Sequence, residues 1–266
     1  MATKRRVGIV GGNGWLGNAI ASSAVASGAI AGDLLLLSGR TDKRGALPVP
    51  GATYLRDNAE LAENSDVIVF SVRPEDFASI DIDATGKLVI SVMAGVTAAE
   101  IARRTGASEV VRSIPNAAAA IQRSFTPWYA VPAVSSESKQ FVQALFDACG
   151  EGAEVQEEAH IEYCVGMTGS GAAFPALLAQ ALVKHALTQG LPADFAARAA
   201  KGVVAGASQL FNGLDSDTGL IVKEMIDYRG TTAAALQCML DSGFNHAVAA
   251  GLEAASAKAA ALGKGA

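Results

Sequence analysis

Positive charge is in short supply: 21 Lys and Arg stand against 26 Asp and Glu in 266 residues, giving a net charge of −5. Nucleic acid needs a basic footprint to replace its condensed counterions, and no basic patch with interleaved aromatics occurs, which excludes a nucleic-acid partner. Aromatic residues are also scarce, 6% against 50% hydrophobic, so the core is built from small aliphatic side chains that let helices pack closely. Cysteine is rarer still. Cys149, Cys164 and Cys238 are odd in number, far apart and in no C-x-x-C pair, which excludes a disulfide framework or zinc ribbon and predicts buried free thiols in a reducing cytoplasm. His160, His185 and His246 form no ligand set, and no metal is expected. Long apolar runs are missing too: the longest, residues 172–183, stops at Lys184-His185, short of the ~20 residues that span a bilayer. The chain enters a strand soon after Met1, leaving no room for a signal peptide. These absences predict a cytoplasmic protein with no membrane partner.

Glycine, by contrast, is plentiful, with 28 residues. Three of them make a G-x-G-x-x-G pattern in Val7-Gly8-Ile9-Val10-Gly11-Gly12-Asn13-Gly14-Trp15-Leu16-Gly17, after an apolar strand and before a helical pattern at Ala19, Ile20, Ala24 and Val25. Gly12 is expected to permit the sharp strand-to-helix turn, Gly14 to admit a pyrophosphate, and Gly17 to let helix and strand pack closely. The free N–H groups of the helix N-terminus then face the phosphates. The reading is a nicotinamide or flavin dinucleotide site.

Up to about residue 125, short β-type runs at 6–10, 34–37, 67–71, 88–92 and 110–112 alternate with helical stretches, the pattern of a Rossmann-type α/β domain with a doubly wound parallel sheet. Ligands gather at the carboxyl ends of such strands. Those ends carry residues 11–17, 38–41, 71–74, 93–95 and 113–116. From Glu157 the character changes to Ala-rich helical patterns at 172–187, 193–212, 219–226 and 231–240, then a last helix fraying into the tail. Residues 1–156 are therefore expected to form the dinucleotide-binding domain and 157–266 an all-helical dimerisation and substrate domain, buried partly against a second copy.

The second strand ends in Ser38-Gly39-Arg40-Thr41, followed by Lys43 and Arg44, where an NAD site usually has an acidic residue. Hydroxyls and a guanidinium suit a 2′-phosphate, so NADP is expected over NAD, although Asp42 keeps NAD open. No isoalloxazine-specific signal favours flavin.

Three more segments, Val89-Ile90-Ser91-Val92-Met93-Ala94-Gly95-Val96, Val111-Arg112-Ser113-Ile114-Pro115-Asn116-Ala117 and Gly166-Met167-Thr168-Gly169-Ser170-Gly171-Ala172-Ala173-Phe174, complete an ordered set with the glycine turn. Together with Asp57-Asn58 and Gly230-Thr231-Thr232, this set resembles pyrroline-5-carboxylate reductase, the last enzyme of proline synthesis. The resemblance implies an interlocked dimer and hydride transfer from NADPH to the C=N carbon of a cyclic imine. By position it places Asn13, Gly14, Trp15 and Leu16 at the pyrophosphate, with Gly12 and Gly17 shaping that cofactor turn, Ser38, Arg40 and Thr41 at the adenosine phosphate, and Asn58 at the adenine ribose. Val72, Arg73 and Pro74 match the family's Val-Lys-Pro beside the cofactor, and Ala94, Gly95 and Asn116 line the nicotinamide.

Imine reduction needs an oriented nicotinamide, a proton for nitrogen and a grip on the carboxylate. Thr231 and Thr232, which would also cap their helix, can offer hydroxyls and N–H groups for the last two tasks. Asn116, Ser170, Arg229 and Gly230 complete the expected substrate site. The family's Ser-Pro-Gly-Gly-Thr-Thr is here Asp227-Tyr228-Arg229-Gly230-Thr231-Thr232, its Gly-Ser-Gly-Pro-Ala-Tyr has become residues 169–174, and His160 replaces a usual Asp. A paralogue acting on another cyclic imine, with Arg229 either meeting a second anionic group or filling the space left by a smaller substrate, is therefore the alternative, and a catalytically silent NADP-binding regulator a further one. A β-hydroxyacid dehydrogenase is disfavoured, because its catalytic lysine position holds Pro175 and Lys184 lies more than two turns on.

Overall fold

A computed structural model describes residues 4–39, 48–211 and 217–263. Its chain order is β1 (Val7–Val10), α1 (Trp15–Ala26), β2 (Leu35–Ser38), β3 (Thr53–Leu55), α2 (Asn58–Glu63), β4 (Val67–Phe70), α3 (Pro74–Phe77), β5 (Leu88–Ser91), α4 (Ala98–Thr105), β6 (Glu109–Ser113), β7 (Ser124–Ala130), α5 (Ser136–Asp147), β8 (Gly150–Glu154) and α6 (Glu158–Cys164). A π-turn, Val165–Gly169, and a 3-10 turn, Ser170–Ala173, follow. The remaining helices are α7 (Phe174–Thr188), α8 (Ala193–Ala207), α9 (Thr218–Asp227), α10 (Thr231–Asp241) and α11 (Phe244–Gly263). None is long and apolar enough to cross a membrane among the described residues.

The strands form one eight-stranded sheet in the order β3-β2-β1-β4-β5-β6-β7-β8. The strand order runs outward from β1 both ways, to β2 and β3 on one side and to β4, β5 and β6 on the other, all parallel, which makes the sheet doubly wound. Strands β1, β2, β4 and β5 are buried along their whole length, as helices on both faces of a parallel sheet require. Val7 and Ile9 face one core with Ile20 and Phe146. Val10 joins Ile68, Phe70 and Phe77 in the other.

Five strands lie where the apolar runs predict them, within a residue or two. Three do not announce themselves. Strand β3 is a short, largely exposed edge, β8 reads Gly-Glu-Gly-Ala-Glu, and β7 carries Pro127 in its middle. The sheet is thus not wholly parallel: β7 runs antiparallel to β6, with Val111 opposite Ala130 and Ser113 opposite Trp128. Tertiary burial decides this, since Trp128 is 2% exposed and its indole N–H donates to Gln143 Oε1 at 3.2 Å.

The described residues divide into two compact units, one within Met1–Ser170 and Ala254–Ala266, the other Gly171–Glu253. In the second, α7 packs on α8 and α9 on α10. Its burial is slight: of α7 to α10 only Ala196, Ala200 and Ala233 are buried, while Leu177, Val203 and Leu210 are each at least 60% exposed. The helix expected over 193–212 changes to a 3-10 turn at Ser208–Phe211, and residue 212 lies outside the described residues. Not all thiols are buried, as expected above: Cys149 is, Cys164 is half-buried and Cys238 is exposed in the single chain.

Candidate active site

The glycine turn is held at its strand ends. Gly11 N–H donates to the Ser38 carbonyl at 2.9 Å and Gly14 N–H to the Gly11 carbonyl at 2.8 Å, leaving Gly14 as the N-cap of α1 with no side-chain bond to its N–H groups. Gly12 lies in the turn, but the left-handed residue there is Gly11, at φ +86°. A Cβ on Gly12 would instead meet Leu37 Cδ2 at 2.8 Å, so Gly12 is small because β2 is close. A Cβ on Gly17 would lie 2.6 Å from the Gly11 carbonyl oxygen, which confirms the close helix-to-strand approach. The need for glycine at Gly11 is not part of the G-x-G-x-x-G spacing; its backbone conformation reveals it.

This cradle fits a dinucleotide. Asn13 Oδ1 is buried without a partner, and a Cβ on Gly39 would fill the space beside the Asn13 side chain. An unpartnered buried acceptor at a helix N-terminus with free N–H groups matches a polyhydroxylated anionic ligand. Trp15 starts α1 with 59% of its surface exposed, and Leu16 follows it half-buried.

Ser38 is wholly buried, and its hydroxyl donates to Asn58 Oδ1 at 2.7 Å. It thereby fixes the first residue of α2, whose N-cap Asp57 accepts from Ala59 N–H at 2.8 Å. Arg40 and Thr41 lie outside the described residues. Val72 touches the turn: a Cβ on Gly11 would meet Val72 Cγ1 at 3.0 Å. Arg73 is the N-cap of α3 and Pro74 its first residue, with the Arg73 side chain exposed.

The loop after β5 carries Ala94 and Gly95. Gly95 has φ +78°, and a Cβ there would overlap the Ala259 carbonyl oxygen of α11. Beyond β6, the Asn116 side chain is committed twice. Its Oδ1 accepts from Ala118 N–H at 2.9 Å, capping a 3-10 turn, and its Nδ2 donates to the Thr168 carbonyl in the π-turn at 3.0 Å. Ser170 closes that turn by donating to the Val165 carbonyl at 3.1 Å. π-Turns concentrate at functional sites. Nearby, burial pushes the Cys164 thiol up, which keeps it neutral and unreactive.

Arg229, Gly230, Thr231 and Thr232 sit together in the second unit. Gly230, not a threonine, is the N-cap of α10, and no side chain caps it; Thr231 and Thr232 are its first helical residues. The capping expected of the threonines is absent because the extended conformation that a cap needs falls one residue earlier. Arg229 adopts φ +57°, a left-handed conformation uncommon outside glycine, and Tyr228 is 85% exposed.

Residues 158–262 match the family model described as pyrroline-5-carboxylate reductase dimerisation, and residues 6–95 the model described as NADP oxidoreductase, coenzyme F420-dependent. A pyrroline-5-carboxylate reductase of Synechocystis is 30% identical over 212 residues, 78% of this chain and 79% of the relative. The chain belongs to the pyrroline-5-carboxylate reductase family. A second member, from Mycobacterium tuberculosis, is 29% identical over 282 residues and 95% of both chains. The Plasmodium falciparum pyrroline carboxylate reductase, solved with NADP bound, shares the fold with a TM-score of 0.85 at 22% identity, over 99% of this chain and 100% of that one. Membership in the reductase family spans both compact units.

Proposed function

We propose that this chain reduces a cyclic imine carboxylate with NADPH, taking 1-pyrroline-5-carboxylate to L-proline. The observation that carries the reading is the Gly11-to-Gly17 turn with its orphan Asn13 acceptor, in a chain of the pyrroline-5-carboxylate reductase family. NADPH supplies the hydride that reaches the C=N carbon. The N-terminal N–H groups of α1 at Trp15 and Leu16, with Gly14, hold the pyrophosphate, Asn13 accepts a hydroxyl, and Asn58, set by Ser38, meets the ribose. Arg40 and Thr41 take the adenosine 2′-phosphate. Val72, Arg73 and Pro74 border the cofactor, and Ala94 and Gly95 flank the nicotinamide. Asn116 shapes that side by tying its loop to the π-turn beside Ser170.

In the substrate half, Thr231 and Thr232 present hydroxyls that no helix cap consumes. One donates a hydrogen bond to the imine nitrogen and relays to it a proton that water replaces on the hydroxyl, as the imine carbon gains the hydride. The N–H groups at the start of α10 hold the carboxylate. Residues 1–156 serve the cofactor and 157–266 the substrate and the dimer. The exposed apolar side chains of the second unit, Leu177, Val203 and Leu210 among them, are covered by a second copy. A mass in solution of at least twice 27.0 kDa is expected, and a monomer would remove this assignment. The protein works in the cytoplasm.

One observation favours a second reading, a different cyclic imine. Arg229 occupies a left-handed position where a glycine costs nothing, next to exposed Tyr228. NADPH oxidation with pyrroline-5-carboxylate, beside six-membered and 2-carboxylate cyclic imines, separates the two. Turnover on pyrroline-5-carboxylate establishes the first reading, turnover only on another imine the second, and tight NADPH binding with silence on all of them a regulator.

A further inference from the structure

Arg112 is 1% exposed on β6, after two valines and before Ser113, yet it carries a charge that the core would do without. Its Nη1 donates to Glu158 Oε1 at 2.8 Å and Glu162 Oε1 at 2.6 Å, on successive turns of α6. Its Nε and Nη2 are buried without partners. Such an ion pair, half-satisfied, is poor evidence for stability, because apolar replacements of buried pairs are often neutral or better. Its geometry points to another purpose. Glu158 Oε1 also accepts from Ala98 N–H at 2.8 Å, the first residue of α4 and three positions beyond Gly95. One carboxylate oxygen therefore joins the strand that leads to Asn116, the helix that follows the loop of Ala94 and Gly95, and the helix that leads into the π-turn of Thr168. That π-turn in turn receives the Asn116 amide at 3.0 Å.

We propose that Arg112 is a positioning residue for hydride transfer, setting through Glu158 the spacing between the loop of Ala94 and Gly95 and the loop of Asn116. The proposal rests on the reading above, that these loops flank the nicotinamide. The polar bonds of Arg112 go to α6 and not to either loop, so it acts on alignment and not on affinity: the pyrophosphate and adenosine contacts lie on other strands. Misalignment by a fraction of an ångström slows the chemical step and leaves binding of the cofactor's far end intact.

The test uses the full-length protein and the variants Arg112→Met, Arg112→Lys and Glu158→Ala. Methionine fills the buried volume without charge, lysine can still reach both carboxylates, and Glu158→Ala breaks the link to Ala98 while Glu162 keeps Arg112 neutralised. In Arg112→Met, deuterium uptake by amides of residues 93–98 and 113–118 is expected to rise about tenfold with that of β1 and α1 unchanged. NADPH affinity stays within about twofold, kcat falls about tenfold or more, and the isotope effect from deuterated NADPH on kcat grows. Lysine restores most of the rate, and Glu158→Ala behaves as Arg112→Met does, which keeps the test open should methionine fail to fold. Unchanged uptake in residues 93–98 in a folded variant, or unchanged kcat and isotope effect, overturns the proposal. If the wild type neither binds NADPH nor reduces an imine, the functional reading fails by itself, and the exchange data still decide the tether.

Discussion

Gly95 and Gly263 meet backbone to backbone: a Cβ on Gly263 would overlap the Gly95 carbonyl oxygen, and a Cβ on Gly95 would overlap that of Ala259. The last turn of α11 thus lies directly on the loop after β5, within one compact unit. This contact leaves no room for a side chain at Gly95 whatever the loop binds, and the Gly95 backbone is left-handed besides, at φ +78°.

Gly95→Ala should therefore lower stability by roughly 1–2 kcal/mol from backbone conformation alone, with more from displacing α11. Gly263→Ala lacks the conformational penalty but keeps the overlap, so it should also lower the melting temperature. Thermal unfolding of both variants measures this; a Gly263→Ala protein that melts with the wild type would show that the helix end is free to move aside.

Gly17→Ala should cost cofactor affinity more than stability. Its Cβ would press on the Gly11 carbonyl at 2.6 Å and on Gly12 Cα at 3.0 Å, pushing the start of α1 away from the turn. An NADPH dissociation constant raised about tenfold or more is expected from the loss of N–H groups aimed at the pyrophosphate. Titration by cofactor fluorescence reads it directly.

Asn116→Ala removes a cap worth about 1 kcal/mol and the bond to Thr168. Asn116→Asp keeps the acceptor for Ala118 but turns a carboxylate oxygen toward the Thr168 carbonyl. We expect kcat to fall further in Asp than its stability predicts, because repulsion opens the π-turn. Chemical denaturation alongside steady-state kinetics checks both; equal kcat in Asp and wild type would count against a role for this tie.

Thr231→Val and Thr232→Val should leave stability within about 0.5 kcal/mol, since Gly230 and not a threonine hydroxyl terminates α10. At least one of the two should lose about a hundredfold in kcat if its hydroxyl protonates the imine nitrogen. Full activity in both would move that proton to another donor.

Burial pushes the Cys149 thiol up to about 12. The neutral thiol is favoured in the folded state, so its contribution to stability is whole below the unfolded thiol's pKa of about 8.5 and is lost as pH rises from there toward 12. Cys149→Ala should flatten that part of the alkaline stability profile, and native Cys149 should resist alkylation at pH 8 until the chain unfolds. Rapid labelling of Cys149 in the native protein contradicts the assignment.

Much of this was legible along the chain. Periodicity placed the buried parallel strands, because a strand covered on both faces must be apolar throughout. The glycine spacing located the strand-to-helix turn, and the ordered motifs named the family. Strands β3, β7 and β8 were not legible, since an exposed edge, a proline and a run of glycine and glutamate carry no alternating signal. Nor was Arg112. In the sequence it is one basic residue after two valines, and only the fold brings Glu158 and Glu162 against it.

By itself the sequence determined the repeating βα units, the glycine turn, the shift to Ala-rich helices and the departure at Asp227-Tyr228-Arg229, all properties of neighbours within a few residues. The tertiary structure decided which glycine in the turn is left-handed, which residue begins α10, why Gly95 has no side chain and how one carboxylate oxygen of Glu158 joins three segments. These depend on close approach between parts of the chain far apart in sequence, where excluded volume and the burial of charge are set by the partner across the contact.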